Sequence, residues 1–224
     1  MTKNILGSFL LVLLIAGCSL TPATTTDNEI SGPTVEPVVL PSGSVLFQDS
    51  FDNPGSGWRR LNNPDGIMDY NDGVYRMLVT DANTSLWSTP GKTFNDARIE
   101  ADVVTLGGPE TNRAGLVCRV SGFDWYFFII TSNGYYAIGK TVNRQSTLLG
   151  QNAFAQSNTI KTGLAINHLR ADCQGSQLSF YVNGFLVAQV NDATLASGQV
   201  GVTAGSFEEG GVDVVFDEFI VLQP

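Results

Sequence analysis

Charge is scarce in this chain. Only 15% of its 224 residues are charged, and acids outnumber bases 21 to 12, for a formal net charge of −9. An acidic chain with no basic stripe has no electrostatic footprint for nucleic acid. The same deficit excludes binding to anionic headgroups through charge. Histidine occurs once, at position 168, and cysteine three times, so no transition-metal site built from several His or Cys ligands can be assembled. No Ser/His/Asp set can be assembled either. Amphipathic helical periodicity is missing, and neither Gly107-Gly108 nor Gly210-Gly211 leads into a helix as a phosphate cradle would. The one long apolar run, Ile5 to Ile15, is too short for a comfortable membrane span.

That run has another reading. Lys3 precedes it, and Ile15-Ala16-Gly17-Cys18 closes it, which resembles a bacterial lipobox at all four positions. The resemblance implies that residues 1–17 are a lipoprotein signal peptide and that Cys18 is lipidated, with stable anchoring by its acyl chains. The expected place is the bacterial cell envelope, anchored to a membrane and facing outside the cytoplasm. Residues 18–43, rich in Thr and Pro and without periodicity, read as an extended tether. Residues 44–224, roughly 180, suffice for one domain with a real core. With Cys18 taken, Cys118 and Cys173 remain. An even remainder in an oxidising compartment permits one disulfide, worth about 4 kcal/mol by the chain-entropy estimate; two buried thiols are the alternative.

The domain is dense in strand signals. Leu178–Val182 and Phe185–Val190 alternate on either side of Asn183-Gly184, the strongest short-range hairpin signal. Asn133-Gly134 repeats the device after Asp124–Thr131, a run apolar on both faces, as expected of a strand covered on two sides. Gly is frequent at 24 residues, and about a dozen short strands separated by turns point to an all-β, two-sheet antiparallel jelly-roll sandwich. Trp58 and Trp125 are expected in the core, and Trp87, beside Ser88 and Pro90, in a loop.

The order LFQDSF, DGVYRM, FNDARIEADV, AGLVCRV, NHLRADCQGSQLSFYVNG, GQVGVTAG and VVFDEFIV resembles the concanavalin A-like, laminin-G-like jelly roll. Over about residues 45–224 it is similar in particular to the bacterial 3-keto-disaccharide hydrolase domain. That resemblance implies the fold and, as one alternative, a glycoside hydrolase-like activity. Retaining glycosidases of this fold carry a Glu, an Asp and a further Glu along one strand. Glu100-Ala101-Asp102 supplies the first two, but Val104 and Thr105 stand where the proton donor would be. Many such sandwiches hold a structural calcium where the termini meet, which makes Asp49 and Asp217, on the first and last strands, the candidate ligands.

One polar strand face offers a binding site. His168, Arg170 and Asp172 alternate with Leu169, Ala171 and Cys173; with Arg119 and Glu100, and with Tyr181 where alternation allows, they are the candidate ligand-binding residues. Such a face suits sugars, whose hydroxyls pair with charged groups. The expected function is a lipid-anchored, non-catalytic module for carbohydrate or an envelope partner. The alternatives are the hydrolase and a structural envelope protein.

Overall fold

The computed structural model describes residues 40–224. The expected signal peptide, the expected lipidation site Cys18 and most of the expected tether lie outside them. The described residues form 17 strands and no helix. In chain order these begin with β1 (Val45–Asp49), β2 (Leu61–Asn63), β3 (Gly66–Asn71), β4 (Val74–Val79), β5 (Ser85–Ser88) and β6 (Thr93–Phe94). The middle of the domain holds β7 (Ala97–Gly107), β8 (Asn112–Ser121), β9 (Asp124–Ile130), β10 (Tyr135–Val142), β11 (Gln145–Leu148) and β12 (Ala155–Gln156). It closes with β13 (Asn167–Gln174), β14 (Gln177–Val182), β15 (Phe185–Asn191), β16 (Gly198–Ser206) and β17 (Val212–Leu222).

These strands make two antiparallel sheets. The first runs β15-β14-β13-β7-β17-β4-β3-β2, with β1 also on β17; the second runs β11-β10-β9-β8-β16-β5, with β12 on β10 and β6 on β16. The Gly43 amide donates to the Gln223 carbonyl at 2.8 Å, so the last residues of the expected tether already belong to the packed edge. At the Asn183-Gly184 turn both residues take positive φ, 53° and 85°, the backbone that a type I′ hairpin demands.

Strand alternation builds the core. Ile99, Ala101, Val103, Leu169, Ala171 and Phe180 of the first sheet meet Leu116, Tyr126, Phe128, Ile138, Val200 and Val202 of the second. Trp58 joins this core, T-shaped against Phe219 and tilted against Tyr75. Cys118 on β8 and Cys173 on β13 are disulfide-bonded, so the bridge ties one sheet to the other. β9 is buried on both faces: Trp125, Phe127 and Ile129 turn away from the core and pack with Val117, Val120 and Ala137 in a second apolar cluster. Trp125 is therefore buried but on the outer side of its sheet.

Alternation fails at one place. β8 carries a bulge between Cys118 and Ser121, with Arg119 at φ 53°. The extra residue flips the phase of the strand. Val120, which strict alternation with Leu116 and Cys118 would place in the core, goes to the outer cluster instead. Arg119, expected on a polar face, is buried with 3% exposure.

Candidate functional site

The polar face predicted from the sequence exists on the outer side of the first sheet. The register of β13 against β7 sets His168 opposite Asp102, Arg170 opposite Glu100 and Asp172 opposite Arg98. Directly opposed residues share a face, so six charged side chains stand together on this surface. His168 donates from both ring nitrogens, Nδ1 to Asp102 Oδ1 at 2.8 Å and Nε2 to Glu100 Oε2 at 3.3 Å. Arg170 forks onto Asp172 through Nε and Nη2, at 2.9 and 2.5 Å, and lies 4.4 Å over the Tyr181 ring. Arg98 Nε reaches the same Asp172 at 3.2 Å.

The charges close on one another. The Glu100 hydrogen bond, against partial burial, raises the His168 pKa to about 8, with Asp102 adding to the effect. The same hydrogen bond holds the Glu100 carboxyl below its usual range. With His168 protonated, three cations face three anions, and each is occupied by a neighbour. A retaining glycosidase needs one carboxyl kept protonated by a raised pKa, and Glu100 is shifted the other way. Four of the five predicted ligand residues, Glu100, His168, Arg170 and Asp172, thus come together as a self-neutralised charge ladder, not as free recognition groups.

The fifth, Arg119, lies in the second sheet and away from this face. It donates to the carbonyls of Leu195 and Gly175 at 2.7 Å each, to Asn95 O at 3.2 Å, and to Asp96 Oδ1 at 3.3 Å. Its position beside the disulfide makes it a clamp on three loops. The bulge that redirects it is invisible to a period-two reading.

The two aspartates expected to hold calcium lie on the paired strands β1 and β17. The Asp49 carboxylate accepts from the Phe51 amide and from the core indole of Trp58, both at 2.9 Å. Asp217 stands opposite Asp102 on the outer face, beyond the bulge that separates it from Phe219 and Ile220. Among the described residues no group of three or more His, Cys, Asp and Glu could hold a metal ion.

The outer side of the second sheet is different. A groove of about 160 Å³ crosses it, walled by Trp125, Phe127, Leu148, Phe154 and Phe207. The Phe127 ring lies over Gly139, where a Cβ would come within 2.1 Å of it, so only glycine permits the ring to lie flat there. Polar groups enter at Arg113, Thr141, Ser146 and Thr203. The Thr141 and Ser146 hydroxyls pair at 2.9 Å, and Thr203 Oγ1 donates to the Leu86 carbonyl at 2.8 Å. Trp87, on β5 and not in a loop, packs tilted against Trp125 and meets the half-exposed Phe123 edge-on, with Arg144 over Phe123 at 4.2 Å. A second cavity of about 590 Å³ shares Phe154 and Phe207 and continues to Asn133, Tyr135, Glu208 and Glu209. Sequence reasoning missed Arg113, Phe154 and Phe207. The one signal for this groove in the sequence is the two-sided apolar run of β9, which by itself implies only burial.

No protein-family model matches the chain, and no curated protein does. Solved structures do. The carbohydrate binding module CBM66 from Bacillus subtilis aligns at 17% identity and TM-score 0.52, over 74% of this chain and 95% of its own. A Bacillus subtilis protein of unknown function with a galectin-like fold aligns at 12% identity and TM-score 0.63, over 82% and 97%. The GH43 protein BlXynB from Bacillus licheniformis aligns at 16% identity and TM-score 0.57, over 79% of this chain but 39% of its own. At such identities the likeness concerns the fold. The described domain has a two-sheet antiparallel jelly-roll fold like that of these structures.

Proposed function

We propose that this protein is a lipid-anchored, non-catalytic binding module of the bacterial cell envelope, and that its ligand is a glycan held in the aromatic groove of the second sheet. One observation carries the reading: an open groove walled by aromatic rings, with the Ser146 hydroxyl and the half-buried Arg113 guanidinium in its lining. Sugars present C–H faces that pack on rings and hydroxyls that pair with polar side chains, and concave, mostly apolar sites with a few polar groups are the usual form of ligand pockets. The carbohydrate binding module among the similar structures accords with this reading, and the Ile15-Ala16-Gly17-Cys18 segment supports the anchor. A hydrolase of the 3-keto-disaccharide type gains nothing from the site geometry, since Glu100 and Asp102 are both engaged by His168.

The test is a glycan array probed with the full chain in detergent, alongside the Trp125→Ala variant. Binding by the parent and its loss in a folded variant are expected. Binding to no glycan, with an envelope protein recovered by cross-linking instead, would overturn the proposal.

A further inference from the structure

Every described lysine and arginine but one either pairs with a carboxylate or is exposed to water. Arg60, Arg76, Arg98, Arg119, Lys140 and Arg170 each pair with a carboxylate. The described cations without a carboxylate are Arg59, Lys92, Arg144 and Lys161, all exposed to water, and Arg113, which is half-buried in the groove wall. Acids outnumber bases in this chain, so the missing partner does not reflect a shortage of carboxylates.

The guanidinium is only partly accommodated. Its Nη2 donates to the Ser206 and Thr84 carbonyls, and its carbon lies 4.6 Å over the Phe207 ring. Its Nε is buried without any hydrogen-bond partner. Burial, with no carboxylate opposing it, pushes the Arg113 pKa down. An uncompensated buried charge is costly, and a buried polar atom without a partner calls for a reason. In a partly desolvated setting, a carboxylate brought to such a cation is bound more strongly than at an open surface.

We infer that the groove selects a glycan carrying a single carboxylate on its terminal sugar, with Arg113 as the counter-ion. This rests on the glycan reading above. The small volume beside Arg113, about 160 Å³ against roughly 300–1,000 Å³ for drug-sized ligands, suits one ring. Beyond Phe154 and Phe207 the path runs past exposed Glu208 and Glu209. Those two carboxylates and the net charge of −9 repel a ligand charged at every residue. The rest of the glycan is therefore neutral.

Titration calorimetry on the full chain in detergent tests this with four probes. They are a uronic-acid-terminated oligosaccharide, its carboxyl-reduced form, a sialic-acid-terminated oligosaccharide and a polyuronate. At least one acid-terminated probe should bind about tenfold or more tightly than the carboxyl-reduced one, the two acids distinguishing which sugar supplies the carboxylate. The preference should weaken with salt, vanish in Arg113→Gln and survive in part in Arg113→Lys. The comparison of probes on the parent protein needs no substitution, so a misfolded variant does not spoil it. Equal affinity for the acid-terminated and carboxyl-reduced probes overturns the inference and leaves the glycan reading standing. Polyuronate binding as tight as the single acid overturns the single charge. Silence on these probes and on the whole glycan array overturns both proposals.

Discussion

Trp87 on β5 and Trp125 on β9 meet with ring centroids 4.5 Å apart and planes inclined at 31°, although β16 and β8 separate their strands. On the two intervening strands Thr203 stands opposite Trp87, and Gly115 opposite Thr203. Phe123 adds its edge at 5.7 Å from Trp87. The outer face of the second sheet is thus roofed by aromatic rings that hold one another, and the groove begins at their edge.

Removing one ring should therefore affect both stability and binding. Aromatic pairs contribute about 0.5–1.5 kcal/mol beyond area burial, and buried Trp→Ala changes cost about 3–5 kcal/mol. Trp125→Ala should fall at the lower end of that range by urea denaturation, because the site opens to water and leaves no sealed cavity. Glycan affinity should drop at least tenfold by calorimetry, with Trp125→Phe retaining part of it. An unchanged affinity in a folded Trp125→Ala protein would place the ligand elsewhere.

The Cys118–Cys173 bridge spans 55 residues and joins the two sheets directly. Chain entropy assigns such a loop about 4 kcal/mol. The double variant Cys118→Ala, Cys173→Ala should lose stability of that order in guanidinium, with the slope against denaturant increased as its unfolded state expands. A loss below about 1 kcal/mol would mean that the sheets hold their register without the bridge.

What the sequence made legible was whatever depends on a strict period. The Asn183-Gly184 turn, the core positions of β7 and β13, and the shared face of His168, Arg170 and Asp172 all follow from alternation and turn chemistry. Arg119 and Val120 were misplaced because a single bulge reverses alternation, and nothing in the segment Leu116–Ser121 announces it. The charge ladder was misjudged for another reason. Which strand lies beside β13 is a tertiary fact, and only the pairing with β7 shows that every charge there already has a partner. The groove was missed because Phe154 and Phe207 come from distant segments, before β12 and after β16, that meet edge to face at 5.6 Å only in the folded chain.

The two arginines singled out from the sequence should behave oppositely. Arg119→Met removes the donors from the Asn95, Gly175 and Leu195 carbonyls, and leaving a buried acceptor without its partner costs about 1–3 kcal/mol. Arg170→Ala leaves Asp172 still paired with Arg98 on a partly solvated face, where a pair contributes about 0–1 kcal/mol. Thermal melts of the two variants should differ by several degrees, with Arg119→Met the lower. Equal melting temperatures would show that the loops do not depend on the Arg119 clamp.

His168 gives the fold a pH dependence whose sign follows from its pKa. The ordinary value of 6.5 is raised to about 8, first by the hydrogen bond to Glu100 and then by Asp102. A group that holds its proton more tightly in the folded state contributes stability fully below pH 6.5. That contribution is lost as the pH rises through about 8. The His168 side chain is 44% exposed, so water screens the interaction and the effect is smaller than the shift alone would imply. Urea midpoints should accordingly decline between about pH 6.5 and pH 8.5 in the parent protein. His168→Gln keeps one donor near the two carboxylates but cannot titrate, so its midpoints should be flat across that window. Parallel declines in parent and variant would assign the pH dependence to another group.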